Sequence, residues 1–165
     1  MESFKEKAAG KLGPIPTLKI FRKDKRARLP ERAKTDSVGL DVFAFLLTES
    51  GRPTTRAVHQ RGVTPVPTGL ILQPSPGYYA QCCSRSGLAA KGIFVANAPG
   101  IIDPDYSGEL IVLLFNGSFE THYVAHEHRV AQILLLPLPH CDILELDSAP
   151  AHVGRGEAGF GSTGL

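Results

Sequence analysis

Short apolar runs, each ended by proline or glycine, limit what this chain can fold into. Seventeen glycines and thirteen prolines are spread over 165 residues, which leaves little room for long helices. The runs between them are rich in Val, Ile, Phe and Tyr, the residues that favour strands. We predict strands in TLKIFR, VGLDVFAF, GLILQP, GYYAQCCS, IFVANA, GELIVLLFN, VAQILLLPL and CDILELD. Eight or more short strands with such connections are typical of a sandwich or jelly roll.

Two further segments complete the predicted organisation. SRSGLAAKG predicts the one helical turn, and ESGRPTTRAVHQRG predicts a polar surface loop. With 42% hydrophobic residues, the chain is long enough to bury the core of one domain. We predict a mobile leader over residues 1–16, a β-domain over residues 17–150, and a flexible glycine-rich tail over residues 151–165.

The sequence also predicts a compartment. No apolar run reaches the ~20 residues of a membrane span, and MESFKEKAAGK lacks the apolar centre of a signal peptide. We therefore expect a soluble intracellular protein of the cytoplasm or nucleus. Three cysteines without spaced pairs argue against a disulfide framework. Cys82 and Cys83 would point to opposite faces of a strand, and we interpret the cysteines as core-type thiols.

Positive charge is concentrated at the start of the chain. Residues 1–34 hold eleven Lys and Arg against four acids, whereas the other residues hold seven against twelve. FRKDKRARLPER is either a nuclear-import or nucleic-acid patch, or a solvated edge strand and loop. Because the acidic remainder does not look like a nucleic-acid groove, we expect no stable nucleic-acid or membrane partner.

The segment NAPGIIDPDYSGEL predicts a hairpin with an acid at its rim. An aspartate beside Ile101 and Ile102 would be partly desolvated, which raises its basicity, so Asp103 could activate a water molecule. Asp103 and Asp105 are also explained as simple turn formers, which aspartate favours.

SRSGLAAKG places Arg85, Ser86 and Gly87 where a strand ends and a helical turn begins. Backbone N–H groups, a hydroxyl and a guanidinium in this order would make a phosphate cradle. The alternative is an ordinary Ser N-cap.

The last residues, GRGEAGFGSTGL, contain Gly154-x-Gly156-x-x-Gly159, formally a dinucleotide-binding fingerprint. That interpretation fails because no room remains for the helix and strand that must follow. A glycine-rich strip could still wrap phosphates through its backbone amides, and an aromatic side chain within it could stack on a base. The residues that would do so are Arg155, Phe160, Ser162 and Thr163.

Three histidines lie close together in HYVAHEH, at positions 122, 126 and 128. A zinc site would need an HExxH helix or a Cys/His set, and neither is present in this segment. We therefore interpret His122, His126 and His128 as solvated or core-rim residues rather than metal ligands.

Taken in order, these segments resemble the five motifs of the trimeric dUTP pyrophosphatase (dUTPase) family. The resemblance runs from about Leu18 to Gly164, and five motifs in one order with matching intervals make it specific. The counterparts are DSVGLDVFA with Gly39 and Asp41, SRSGLA, NAPGIIDPDYSGE, HRVAQ with Arg129 and Gln132, and RGEAGFGSTG.

The chain departs from the family pattern at four positions. The fourth motif normally has Gly and then an acid before its Arg, where this chain has Glu127 and His128. Ala158 replaces a usual glycine of the fifth motif, and Val38 replaces a common alanine of the first. None of these replaces a group that does chemistry, although Glu127 would alter the turn near the phosphates.

The resemblance implies an all-β fold, a distorted jelly-roll β-barrel with one short helical segment that assembles as a homotrimer with shared active sites. It implies an enzyme that hydrolyses dUTP to dUMP and pyrophosphate, limiting uracil incorporation into DNA and supplying dUMP. The tail of one subunit would close over the site of another.

Carried over to this sequence, the resemblance also implies roles for single residues. Asp103 would deprotonate the water that attacks the α-phosphorus, and Tyr106 would pack under the sugar and exclude a ribose 2′-hydroxyl. The hairpin with Asn97, Gly100 and Ile102 would read uracil. The triphosphate and the closing tail would involve Arg85, Ser86, Gly87, Gln132, Arg155, Phe160, Gly161 and Ser162. Mg²⁺ would bind the phosphate oxygens and reach Asp41 only through water.

Two alternatives share the fold. One is a deoxycytidine-triphosphate deaminase, which should lack the Gly-Phe-Gly tail pattern and carry a different acid–base set. The other is a catalytically silent binding or signalling module, against which Asp103, Arg85, Ser86 and Phe160 argue. Turnover of dUTP separates all three.

Overall fold

A computed structural model describes residues 15–149, which form eleven strands and one short helix. The strands are β1 (Leu18–Arg22), β2 (Leu40–Phe43), β3 (Thr55–Val58), β4 (Val63–Pro67), β5 (Leu70–Pro74), β6 (Tyr78–Cys83), β7 (Ile93–Val95), β8 (Gly100–Ile102), β9 (Ile111–Asn116), β10 (His122–Ala125) and β11 (Arg129–Pro137). The helix α1 (Ser86–Ala89) follows β6, where the sequence predicts a helical turn. The all-β class with one short helical segment is confirmed.

The strands fall into four hydrogen-bonded antiparallel sheets. The largest has the order β2-β11-β6-β8, and a three-stranded sheet has the order β4-β9-β7. Two ribbons, β1-β5 and β10-β3, complete the set. The nine-residue β11 pairs with β2 on one side and with β6 on the other, so three segments distant in sequence lie side by side.

The core lies between these sheets and is built from alternating strand positions. In β9, for example, Val112 and Leu114 are buried while Ile111 is exposed. The buried Asn116 ends this strand, and its side-chain amide donates to the carbonyls of Val58 and Glu120, which compensates for the loss of hydration. The fully buried large side chains include Leu70, Leu72, Ile93, Leu114, Ile133, Val42, Val58, Val66, Val112, Val124 and Val130.

Seven of the eight strands predicted by name are confirmed, and the eighth is not. CDILELD, residues 141–147, forms no strand within the described part of the chain. Its apolar side chains are solvent-exposed in this single chain, Ile143 by 93% and Leu144 by 82%. The pattern is that of a strand, but residues 15–149 offer it no pairing partner.

The prediction of a polar loop over ESGRPTTRAVHQRG is wrong in part, because this segment contains β3. Strand β3 pairs only with β10, so most of its side chains stay in contact with solvent and only Val58 is fully buried. The strand β4 was not predicted at all. It carries Pro65 and Pro67, which a strand tolerates when only one side of it is paired, as here with β9.

Two other expectations concern the chain ends and the cysteines. The predicted leader, apart from Ile15 and Pro16, and the predicted tail lie outside the described residues. Cys82 is buried, as a core-type thiol should be, but Cys141 is exposed, so that interpretation is wrong for Cys141. In the part of the chain described here, no helix has the length and apolar character needed to cross a membrane.

Candidate active site

A cavity of about 180 Å³, the hairpin cavity, opens beside the hairpin formed by the paired strands β7 and β9, whose connection contains β8. It gathers all five residues that the sequence assigns to base, sugar and water recognition: Asn97, Gly100, Ile102, Asp103 and Tyr106. The remaining lining residues are Cys82, Val95, Ile101, Glu109, Leu110, Ile111 and Val112. The cavity therefore has an apolar wall and a few polar groups at its mouth, as small-molecule sites commonly do.

Pairing of β8 with β6 places the polar groups of this cavity. Gly100 lies opposite Cys82 in the register and Ile102 opposite Ala80. A side chain at Gly100 would bring its Cβ to 3.1 Å from Nδ2 of Asn97, so glycine leaves room for that amide. Asn97 is exposed at the opening and is thus available to a ligand.

Asp103 follows β8 directly and is exposed to solvent. Its backbone carbonyl accepts a hydrogen bond from the N–H of Tyr106 at 3.1 Å, which closes a tight turn. The expectation that the neighbouring isoleucines desolvate Asp103 is wrong within one chain, because Ile101 points outward and Ile102 points into the core. A ligand or a second chain would have to supply that cover.

The ring of Tyr106 stands at the mouth of the cavity and is 48% exposed. Its hydroxyl donates to the carbonyl oxygen of Glu109 at 3.1 Å. The Glu109 carboxylate is itself anchored, since Oε2 lies 2.8 Å from Nζ of Lys23 and Oε1 accepts from the N–H of Gly69 at 2.8 Å. Burial opposes the charged form, yet the bonds from Lys23 and Gly69 outweigh it and lower the pKa of Glu109.

Cys82 forms part of the apolar wall. Burial raises the pKa of its thiol to about 12, with a smaller contribution from Cys83. The side chain is therefore a protonated thiol at neutral pH and is not a nucleophile.

A second group of polar residues surrounds the buried carboxylate of Asp41 on β2. Oδ1 accepts from Nε of Arg85 at 2.9 Å and from Nε2 of Gln132 at 3.3 Å, while Oδ2 accepts from Nη1 of Arg129 at 3.4 Å. The strand register explains why these side chains lie close together, because Gln132 of β11 lies opposite both Asp41 of β2 and Cys83 of β6. The first, second and fourth motifs are thus brought together; we call these four residues the Asp41 cluster.

Two glycines belong to the motifs around the Asp41 cluster, and their surroundings differ. A Cβ on Gly39 would approach the side chain of Gln132 to 3.1 Å, so Gly39 lets that amide lie close to the strand. A Cβ on Gly87 would meet nothing within 4 Å, and both Ser86 and Gly87 are exposed. The helix N-cap is Arg85, without a side-chain capping bond, so the interpretation of Ser86 as an ordinary N-cap is wrong.

The arginines of the Asp41 cluster also line a second cavity, of about 280 Å³. Its lining is Arg85, Leu88, His122, Val124, Glu127, His128, Arg129 and Val130. Burial lowers the pKa of His122, and the nearby charges of Lys91 and His128 lower it further. His122 is therefore neutral at pH 7.

The turn between β10 and β11 carries the two departures of the fourth motif. Glu127 has φ of 61°, the left-handed conformation that glycine adopts most easily. Nδ1 of His126 accepts from the N–H of Leu46 at 3.1 Å, and Nδ1 of His128 accepts from the N–H of Ala125 at 3.2 Å. Both imidazoles thus hold backbone in place, which agrees with their interpretation as structural residues.

The donor set suits a metal ion that is carried by phosphate. Among residues 15–149, no three His, Cys, Asp or Glu side chains are grouped so as to hold an ion. The side chain of Asp41 is only 3% exposed, and its oxygens already accept three hydrogen bonds. Asp41 is therefore not placed to ligate an ion directly, and a Mg²⁺ ion held by substrate phosphates, which keeps several of its waters, would fit here only through such a water.

Asp103 and Arg85 lie at different points along β6, and each lines a different cavity. Asp103 comes just after Ile102, which pairs with Ala80 near the start of that strand, whereas Arg85 follows its end. Among the described residues, Arg85 and Arg129 form ion pairs with Asp41 and not with Asp103.

A family model described as dUTPase matches residues 25–164, most of the chain. The chain belongs to the dUTPase family. The resemblance of its five motifs is thereby confirmed, and the match extends over the part of the chain that holds Arg155, Phe160, Gly161 and Ser162, which lie outside the described residues.

Two relatives illustrate how far this similarity reaches. The deoxyuridine 5′-triphosphate nucleotidohydrolase of Anaplasma marginale (strain St. Maries) is 44% identical over 137 residues, which cover 82% of this chain and 88% of that protein. The protein of the same name from Fowl adenovirus A serotype 1 is 38% identical over 152 residues, covering 92% of this chain and 80% of its own length.

Solved dUTPases share the fold. The dUTPase of Staphylococcus bacteriophage 80alpha with dUpNHpp superposes with a TM-score of 0.71 at 22% identity, covering 90% of this chain and 99% of that one. The dUTPase of phage phi11 of S. aureus, described with a structural Mg(II) ion, gives a TM-score of 0.68 at 18% identity, covering 82% and 99%. At these identities the likeness concerns the fold alone.

Two residues of this dUTPase-family chain have site contacts that the sequence did not assign. Arg129 contacts the Asp41 carboxylate, and Glu109 holds the Tyr106 hydroxyl. Both belong to motif stretches, but their contacts depend on strand register and on a backbone carbonyl. The sequence named Arg129 in the fourth motif and carried Glu109 within the third, but it predicted neither contact.

Proposed function

We propose that this chain hydrolyses dUTP to dUMP and pyrophosphate. The observation that carries the proposal is the hairpin cavity, which places Asn97, Gly100, Ile102, Asp103 and Tyr106 around one opening in a chain of the dUTPase family. The names of its relatives, deoxyuridine 5′-triphosphate nucleotidohydrolases, support the same reaction.

Uracil enters the cavity beside Gly100, where the absence of a side chain leaves the Asn97 amide free. The amide and the hairpin backbone hydrogen-bond the edge of the base, and the narrow apolar wall leaves no space for a 5-methyl group. The ring of Tyr106 packs under the deoxyribose and fills the volume that a 2′-hydroxyl would need. A site of this kind rejects wrong partners because they leave buried polar groups unpaired.

Asp103 acts as the general base. Its exposed carboxylate at the mouth of the cavity takes a proton from a water molecule while the water oxygen bonds to the α-phosphorus. The bond between that phosphorus and the oxygen bridging to the β-phosphate breaks, and pyrophosphate leaves with the electron pair. The bound nucleotide would cover the Asp103 carboxylate, which the single chain leaves in contact with solvent.

The triphosphate binds where positive charge and small residues coincide. Arg85 and Gln132 face it from the Asp41 cluster, and the exposed Ser86 and Gly87 offer a hydroxyl and open space. Arg155 and the Gly-Phe-Gly stretch of the tail, outside the described residues, complete the enclosure. Mg²⁺ on the phosphate oxygens, linked to Asp41 through water, would neutralise charge on the leaving pyrophosphate.

The proposed site is shared between subunits of a homotrimer. Within one chain Asp103 lines the hairpin cavity and Arg85 lines the second cavity, so each cavity holds only part of the proposed machinery. A second copy of the chain brings the missing half, as a closed ring of three copies allows. The exposed apolar segment over residues 141–147 supports such an assembly, because residues 15–149 leave Ile143 and Leu144 uncovered and a neighbouring chain would cover them.

Release of pyrophosphate across the deoxynucleoside triphosphates tests the proposal. We expect turnover of dUTP and little of dTTP, dCTP or UTP. Asp103→Asn should lower kcat by at least ~10²-fold while dUMP still binds. Deamination of dCTP, or binding of dUTP without turnover, would contradict the proposal and favour one of the two alternatives.

A further inference from the structure

Gly108 lies against the hydroxyl end of the Tyr106 ring. A Cβ added to Gly108 would stand 2.5 Å from Cζ and 2.9 Å from Cε2 of Tyr106, with the hydroxyl oxygen closer still. Real Cβ atoms do not approach a ring so closely, and an aromatic ring is rigid, so it would have to move as a whole. Only glycine at position 108 is compatible with the observed place of Tyr106.

The tip of the same ring is held by the next residue. The Tyr106 hydroxyl donates to the carbonyl oxygen of Glu109 at 3.1 Å. That carbonyl is fixed because the Glu109 carboxylate is bound by Lys23 of the β1 end and by the N–H of Gly69. Gly108 and the Glu109 carbonyl thus form a slot that fits the ring in one position.

We propose that Gly108 and Glu109 are positioning residues that set the preference for deoxyribose over ribose. The inference rests on the proposed role of Tyr106 at the sugar, and it adds the reason why the ring stays there. Tyr106 is 48% exposed, so nothing in the core prevents it from swinging toward solvent. The slot, rather than burial, keeps the ring under the sugar.

The substitution Gly108→Ala tests the slot directly. The added methyl group must displace the ring and break its bond to Glu109, while the exposed position of Tyr106 lets the chain fold around the change. We expect the ratio of kcat/KM for dUTP over UTP to fall at least ~10-fold, since displacements of about 1 Å cost this much or more in enzyme sites. The kcat/KM for dUTP itself should fall by a smaller factor than the dUTP-over-UTP ratio.

A double-mutant cycle separates positioning from a general structural effect. In a Tyr106→Ala background there is no ring to displace, so adding Gly108→Ala should change the ratio less than ~2-fold. Ser107→Ala, in the same loop, is the matched control and should leave the ratio at the wild-type value. An equal effect of Gly108→Ala in both backgrounds overturns the proposal.

Crystal structures of wild type and Gly108→Ala give a readout that does not depend on activity. A Tyr106 ring left in its wild-type place overturns the positioning role, whatever the rates. If wild type turns over no dUTP, the proposed function fails. If wild type does so and Gly108→Ala keeps the full dUTP-over-UTP ratio, only the positioning role fails.

Discussion

Nε of Arg85 lies 2.9 Å from Oδ1 of Asp41, although the two residues are forty-four positions apart in the chain. The carboxylate is 3% exposed and the guanidinium side chain 21%, so this is a largely buried ion pair. The ion pair connects β2 to the N-cap residue of α1. The pair therefore orients an arginine proposed to bind phosphate, and it also joins parts of the fold.

Asp41→Asn should destabilise the protein. The change leaves Arg85 largely buried without its anion, and removing one partner of such a pair costs about 3 kcal/mol. Urea denaturation of both proteins measures the difference. Arg129→Gln is the control, because Arg129 is 51% exposed and its more distant contact should contribute less than about 1 kcal/mol. Equal losses for the two variants would contradict this account of Asp41.

Glu127→Gly should stabilise the protein. Glu127 has φ of 61° in the turn between β10 and β11, a conformation that costs a residue with a Cβ more than it costs glycine. We expect a gain of about 0.5–1 kcal/mol, the relief of this strain less the chain entropy that glycine loses. Glu127→Ala keeps the Cβ and should bring no gain in the same thermal unfolding measurement. A similar gain for both variants would point to charge rather than backbone conformation.

Glu109→Gln should change how stability depends on pH. The pKa of Glu109 is lowered in the folded protein, so its contribution is present above the ordinary value of 4.5 and is lost as the pH falls through the folded value. Wild type should therefore be more stable than the variant at pH 7, and the difference should shrink below pH ~4.5. Urea titrations at several pH values measure it. A difference that does not vary with pH would rule out the carboxylate charge as its source.

The sequence predicted the parts of this fold that depend on local pattern. The alternation in GELIVLLFN gives β9, and the Ser-Gly-Leu-Ala stretch gives α1. It missed β3, since Arg56 and Thr55 stay exposed on a strand that is paired only with β10. It also predicted a strand over residues 141–147, which has no partner within the described chain. An alternating pattern indicates a strand but does not reveal which other strand would pair with it.

The candidate site, like the fold, was predictable where it depends on residues close together in the sequence. Asn97, Asp103 and Tyr106 lie within ten residues of one another, and the structure brings them into one cavity. Arg129 joined the Asp41 cluster only through the β2-β11 register, which no single motif encodes. The exposure of Asp103 could not be predicted from the sequence either. It depends on which neighbouring side chains point into the core and on which surface a second chain covers.

The placement of Asp103 and Arg85 in different cavities of one chain leads to the sharpest test of the shared site. Asp103→Asn and Arg85→Gln should each form trimers without useful turnover, since each lacks one half of every site. Co-expressed in equal amounts, they should assemble at random, and successive affinity steps on two different tags isolate the mixed trimers. Each mixed trimer then holds one site that joins an intact Asp103 to an intact Arg85 of a neighbour.

Mixed trimers make up about three-quarters of the total and restore one site in three, so roughly a quarter of wild-type activity should return. Co-expressing wild type with Asp103→Asn serves as the control for assembly and should give about half of the wild-type rate. If both half-sites came from the same chain, no mixture of the two variants could recover turnover. Recovery in isolated mixed trimers thus distinguishes the two arrangements, and its absence there would place the Asp103 and Arg85 of each site in the same chain.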